Sequence, residues 1–368
     1  MDHKKIRAIG AACLVAIWVL LTAGAWFGPR QDISEAERRP LEQLPAISGQ
    51  TLLSGSFMGD FEDFSLDQFP LRDTFRRIKS LWHYNVMNQR DNNDIYVADD
   101  YAAKLEYPYR PESITYAAQR FNSLYQMYLK QSTGRIFMAV APDKGYYLAE
   151  ENGYLAMDYQ AMLSDLQQAL PWASYVDLTD ALAKEDYYTT DTHWRQEALL
   201  EASQKLCQAM GVGSFTEEEL VQKTLERPFY GVYYGQAALP MDPEKLHYLT
   251  GEILSQCKVY DYETGSYADV YDMTKLESKD LYDVFLSGAK SLLTIENPNA
   301  ATHKELIVFR DSFGSSMVPL LVKDYAKVTL VDLRYIHMSM LKNFLEFNGQ
   351  DVLLLYSTLV LNNSSTIK

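Results

Sequence analysis

Four short apolar runs in the last quarter of the chain restrict its fold more than any other feature. LLTIEN (292–297), ELIVFRDS (305–312), AKVTLVDLR (326–334) and DVLLLYS (351–357) are rich in Leu, Ile and Val and too short for helices. Runs of this kind fit strands covered on both faces, as in parallel sheets. RIFMAVAP (135–142) and ASYVDLT (173–179) add two more candidates, the first preceded by a helical face of Phe121, Leu124, Tyr125, Tyr128 and Leu129. WRQEALLEASQKLCQAMG (194–211) places apolar residues four apart and stops at Gly211, and MSMLKNFLEFNG (338–349) reads as a second helix with a glycine stop. Strands alternating with helices predict an α/β domain over 95–368, with a mainly parallel sheet and helices on both faces. Residues 305–310, 326–333 and 351–356 are expected in that one sheet, with Ser312 just past the carboxyl end of the first.

The segment 214–290 departs from this rhythm. It holds many of the chain's 27 tyrosines, among them Tyr233, Tyr234, Tyr260, Tyr267 and Tyr282, and is expected to be an insertion beside the sheet. Tyrosine faces can stack on sugar rings or simply fill space, and the sequence leaves both readings open.

The N-terminus has its own pattern. Lys4, Lys5 and Arg7 precede an uncharged run over 8–29, about long enough to cross a ~30 Å hydrocarbon core. Residues 1–30 are therefore expected to form a membrane anchor, with the N-terminus cytoplasmic and 31–368 on the far side. The AGA at 23–25 also fits a signal-peptidase site. Residues 31–94 read as a linker followed by amphipathic helices, interrupted at Pro70, that pack on the main domain.

Net charge is −15 and no stretch concentrates Lys and Arg, which argues against a nucleic-acid partner. Of the three cysteines, Cys207 and Cys257 read as buried thiols or a disulfide, and no Cys/His cluster has metal-ligand spacing. No cofactor is expected.

Two strings carry chemistry. In TTDTHW, Asp191 stands two residues before His193 at what reads as a helix start. A capping aspartate, half a metal site or a catalytic pair all fit it. In ELIVFRDSFGSSM, Asp311-Ser312 follows an apolar strand, and Gly314 opens what reads as a helix. A serine there is presented at the sheet edge, where ligands of parallel α/β proteins bind; it also suits a helix N-cap.

Together the strings resemble the SGNH-hydrolase-like acetyltransferase family of AlgJ and AlgX, most nearly its Gram-positive DHHW-motif group. Here the motif is Asp191-Thr192-His193-Trp194. LLSGSFMGDFEDFSLDQFPLRD (52–73), FYGVYYGQA (229–237), YDVFLSGAKSLLTIEN (282–297), RDSFGSSMVPLL (310–321) and VTLVDLRYI (328–336) follow the family's strings in order. The resemblance implies an SGNH-like fold with the serine block late in the chain. It makes Ser312 the nucleophile, His193 the base and Asp191 its orienting acid. It puts Phe313, Gly314, Gly288 and Asp311 around the oxyanion, and Trp194, Arg310, Tyr233 and Tyr234 near the substrate. Arg310 stands where such enzymes often have glycine and is expected to bring charge to the mouth. Ala289 stands where the family is expected to have an asparagine. The implied activity is O-acetyl transfer to an exported or cell-surface polysaccharide, or acetyl-ester hydrolysis, with a membrane-bound O-acyltransferase supplying acetyl groups. The other reading is a non-catalytic assembly or glycan-binding component.

Overall fold

The computed structural model describes residues 3–34 and 36–368. The chain divides into two compact units. The first runs to Asn93 and takes in Tyr234–Met241; the second holds Asp94–Tyr233 and Asp242–Lys368.

In the first unit, helix α1 (His3–Phe27) is 25 residues long, about 37 Å at 1.5 Å per residue, and is long and apolar enough to cross a membrane. Helices α2 (Ser56–Asp67) and α3 (Arg72–Asn85) follow, separated at Pro70 as expected. A buried Asp67 carboxylate holds this unit together. It accepts Arg39 Nη1 at 2.7 Å, Arg39 Nη2 at 2.6 Å and the Glu42 backbone N–H at 2.9 Å.

The second unit is built on an eight-stranded sheet. Its strands are β1 (Ile136–Ala141), β2 (Ser174–Val176), β3 (Lys258–Asp261), β4 (Ser266–Asp269), β5 (Leu292–Glu296), β6 (Lys304–Arg310), β7 (Tyr325–Val331) and β8 (Asp351–Ser357), in the order β4-β3-β5-β7-β6-β8-β1-β2. Strands β7, β6, β8, β1 and β2 are parallel, with Phe309 opposite both Val331 and Leu354. The three apolar runs expected in one parallel sheet are there. The fourth, β5, runs antiparallel to β7. Composition encodes burial but not strand direction, so this was beyond the sequence pattern.

Alternate residues of these strands enter two cores. Ile307, Phe309, Val331 and Leu354 meet helices α4 (Pro111–Leu124) and α5 (Tyr159–Ala169), while Val308, Leu330 and Leu353 meet helix α6 (Leu200–Ala209). Cys207 and Cys257 lie buried in the second of these cores as free thiols.

Three sequence expectations are corrected. The helix expected from Trp194 becomes regular only at Leu200, because Trp194 is bridged to Tyr187 and 196–198 form a single tighter turn. The helix expected over 338–349 stops at Asn343, and Phe347 turns back to stack on Tyr128 at 4.7 Å. The tyrosine-rich segment does not lie wholly beside the sheet: β3 and β4 extend its antiparallel edge.

Candidate active site

Ser312 lies two residues beyond the carboxyl end of β6, in the turn before a four-residue helix at Gly314–Met317. The buried Asp311 carboxylate shapes this turn. One oxygen accepts the Phe313 N–H at 3.0 Å, and the other accepts the Ser357 N–H at 2.7 Å, tying the turn to the end of β8. Gly314 is required for a local reason. A Cβ there would stand 2.8 Å from Cβ of Arg310, whose stem runs beneath it.

Asp191 and His193 lie in a tight loop, not at a helix start. The loop is closed by the Tyr187–Trp194 bridge and by the Tyr188 N–H donating to His193 O at 3.1 Å. Asp191 therefore begins no helix of its own; its Oδ2 instead accepts the first N–H of the short helix Val232–Ala237. The Asp191 carboxylate is fully buried. Its Oδ1 lies 2.6 Å from His193 Nδ1 and accepts the His193 backbone N–H at 3.1 Å. On the other side of the ring, His193 Nε2 lies 2.8 Å from Ser312 Oγ. Residues 119 positions apart thus form one hydrogen-bonded line. Nε2 is placed to take the serine proton, while Asp191 holds the tautomer in which it can do so. The ring stacks on Tyr282, with centroids 3.9 Å apart and planes 6° from parallel.

The loop bearing Asp191 is held from three sides. Glu244 accepts the N–H groups of Thr189 and Thr190 at 2.8 and 3.0 Å. Lys144 Nζ donates to the carbonyls of Tyr188 and Thr189 at 2.8 and 3.2 Å. Burial pushes this ammonium down to about 7, while Asp191, Glu244 and Asp143 act in the opposite sense. The third side is backbone: Gly231 N–H donates to Thr190 Oγ1 at 2.9 Å, Val232 N–H to Asp191 Oδ2 at 2.8 Å and Tyr233 N–H to Thr190 O at 3.0 Å.

Only glycine fits at 231, since a Cβ would meet Thr190 O at 2.2 Å and Asp191 Cα at 2.3 Å. Both are backbone atoms and cannot swing aside. Gly231→Ala is expected to push the 231–233 segment off the loop, release Asp191 Oδ2 and tilt the imidazole. Misplacing a catalytic group by ~1 Å costs ~10²-fold in rate, and overpacking costs about 1–3 kcal/mol. Turnover and a thermal melt measured together check this; unchanged turnover would show that the backbone clamp does not position Asp191.

The other candidate residues fall in unequal places. Trp194 is fully buried and offers no substrate face. Its indole N–H is shared between Phe313 O (3.1 Å) and Ser316 Oγ (2.9 Å), fastening the Asp/His loop to the serine turn. Arg310 is 1 % exposed, not at the mouth: β6 turns its side chain under the serine turn, where Nη1 donates to Asp311 O and Ser315 Oγ. Tyr233 is buried and donates its hydroxyl to Thr192 Oγ1 at 2.9 Å. Tyr234 belongs to the first unit, where its hydroxyl accepts from Arg77 at 3.1 Å.

Three of the N–H groups expected around an oxyanion are already engaged: Phe313 by Asp311 Oδ1, Gly314 by Asp311 O, and Gly288 by Phe285 O. Among the described residues the Ser312 N–H donates to none. Glu244, Lys144 and the Ser312 amide were missed in the sequence. Lys144 had a signal, since it follows the carboxyl end of β1 where functional groups collect. Glu244 had none. No group of three or more His, Cys, Asp or Glu able to hold a metal occurs among the described residues.

Comparison with known proteins bears on the family and the fold. Residues 159–331 match the family described as DHHW protein. The structure is similar to a DHHW family protein from Eubacterium siraeum at 20 % identity and a TM-score of 0.61, covering 75 % of this chain and 95 % of that one. It is also similar to Bacillus cereus PatB1, solved with a sulfonyl adduct, at 18 % identity and a TM-score of 0.57, covering 73 % of this chain and 97 % of the other. The O-acetyltransferase domain of Pseudomonas putida AlgJ matches at 13 % identity and a TM-score of 0.44, covering 73 % and 92 %. No curated protein sequence matches the chain.

Proposed function

We propose that the chain, whose residues 159–331 match the DHHW-protein family, is an O-acetyltransferase with a serine nucleophile, anchored by α1, that acts on a polysaccharide outside the cytoplasm. The observation that carries the reading is the unbroken line Asp191–His193–Ser312, with contacts of 2.6 and 2.8 Å. Ser312 Oγ attacks the acetyl carbonyl carbon and its proton passes to His193 Nε2. The donor's C–O bond then breaks, and the departing oxygen takes that proton. A sugar hydroxyl attacks the acetyl-serine, giving its proton to Nε2, and the proton returns to Ser312 Oγ as the bond to serine breaks. Asp191 stays ionised and balances the imidazolium. The Ser312 N–H is the donor available to the oxyanion. Water in place of the sugar gives hydrolysis. The acetyl donor is supplied by a membrane-bound O-acyltransferase, as the family resemblance implies.

The basic residues Lys4, Lys5 and Arg7 before the apolar run favour a cytoplasmic N-terminus and an outward second unit. A second reading, a glycan-binding component without catalysis, is favoured by Ala289, which is exposed and has no amide to offer. Release of nitrophenol from p-nitrophenyl acetate by the full chain, with and without an oligosaccharide acceptor, separates the two. Catalysis requires release above the His193→Ala background; equal rates would leave the non-catalytic reading.

A further inference from the structure

Helix α3 buries the wrong side for a water-soluble element. Its inner side is polar: Ser80 Oγ donates to Ala237 O at 2.8 Å, and Arg76 donates to Gly235 O at 2.9 Å while pairing with Glu37 at 3.1 Å. Its apolar stripe is left in the open. Leu71, Phe75, Ile78, Trp82 and Val86 recur three or four apart along one side, and all five are exposed, Trp82 by 56 %. An apolar face of this kind on a soluble unit marks something that covers it.

The same unit indicates what that is. The α2–α3 corner rests against the last turn of α1. Trp26 meets the Phe61 ring edge-on at 6.1 Å, and a Cβ on Gly24 would stand 2.7 Å from Pro70. If α1 crosses the bilayer, that turn lies at the outer interface, where a tryptophan such as Trp26 is favoured. Leu66 and Leu71, on either side of Pro70, are exposed as well. Beside the stripe opens a cavity of about 580 Å³ in which Leu66, Phe69 and Phe75 face Lys79 and the arginines Arg72 and Arg76, both paired with Glu37. An apolar stripe with the exposed Lys79 at its border matches the boundary between acyl chains and anionic headgroups.

We infer that the first unit lies on the outer face of the same membrane that α1 crosses, with the Leu71–Val86 stripe of α3 sunk among the acyl chains and Lys79 at the phosphates. The inference rests on the anchor reading above. The bilayer then fixes the height of the first unit, not only its tether, and holds the start of the chain's folded part at the headgroup level.

The test uses the full chain with Cys13→Ala, so that one introduced cysteine carries an environment-sensitive fluorophore. It is placed at Trp82→Cys or at Asp73→Cys. Asp73 is nine residues away and so on the opposite side of α3 at 3.6 residues per turn. The labelled chains are put in nanodiscs of phosphatidylcholine with phosphatidylglycerol, with or without brominated acyl chains. Position 82 is expected to show blue-shifted emission and quenching by the brominated lipid, and position 73 neither. Lys79→Glu should weaken the quenching at 82 in anionic discs and leave it unchanged in discs of phosphatidylcholine alone. A chain that co-migrates with the discs while position 82 reads water overturns the inference and leaves the anchor standing. Equal quenching at 73 and 82 also overturns it. A chain that elutes apart from the discs overturns the anchor and the inference with it.

Discussion

Ser312→Ala is expected to abolish acetyl-ester turnover while leaving the protein folded. Ser312 Oγ has one partner, His193 Nε2, and the small, partly buried Ser312 side chain belongs to neither hydrophobic core. Its loss should leave the melting temperature close to that of the parent. The chemistry has no substitute nucleophile nearby, since Ser315 and Ser316 are buried and engaged by Arg310 and by Trp194 and Tyr282. Removing the serine from an established hydrolase triad costs on the order of 10⁶ in kcat, and the same order is expected here. Turnover of p-nitrophenyl acetate against a thermal melt is the measurement. A variant that melts normally and retains its rate would place the nucleophile elsewhere.

Asp191→Asn should cost nearly as much, through protons alone. Both oxygens of Asp191 face donors: Oδ2 accepts the Val232 N–H, and Oδ1 faces His193 Nδ1 and the His193 N–H. An amide has one oxygen to offer. If it serves Val232, the NH₂ group faces Nδ1. The imidazole then carries its proton on Nε2 and cannot accept one from Ser312. If it serves His193 instead, NH₂ and the Val232 N–H oppose each other in a buried site, which costs about 1–3 kcal/mol for the unmet donor. Either way the imidazolium loses its counter-charge. The equivalent change in a serine-protease triad lowers kcat by ~10⁴, which serves as an upper guide. Capping predicts otherwise, because Asn caps helices about as well as Asp. Full activity in Asp191→Asn would show that the carboxylate only shapes the loop.

What the sequence made legible follows from what side chains alone encode. Runs such as ELIVF and DVLLLY announce burial on both faces, and the structure seats both in the parallel part of the sheet. The order of chemistry after β6, an acid, a serine and then a glycine, is local and survives folding intact. The surroundings of Asp191 were not legible. Trp194, Ala198 and Ala202 continue the helical spacing backwards, yet the Trp194 backbone pairs with Tyr187, and that competition is tertiary. The grip on the loop comes from Glu244 and Lys144, 53 residues downstream of Asp191 and 47 upstream, through backbone groups that carry no residue-specific signal. Arg310 was misplaced for a related reason. Charge argues for exposure, but strand alternation turns this guanidinium beneath the serine turn, where burial lowers its pKa.

The central claim is that His193, oriented by Asp191, makes Ser312 the one activated hydroxyl of the chain. Covalent trapping tests it without knowledge of the glycan. The full-length protein is treated with phenylmethanesulfonyl fluoride and its peptides are mapped by mass spectrometry, in parallel with His193→Ala. The account predicts a single sulfonyl adduct, on Ser312, that is lost in the histidine variant. An adduct at another residue, or undiminished labelling of Ser312 without His193, would contradict it.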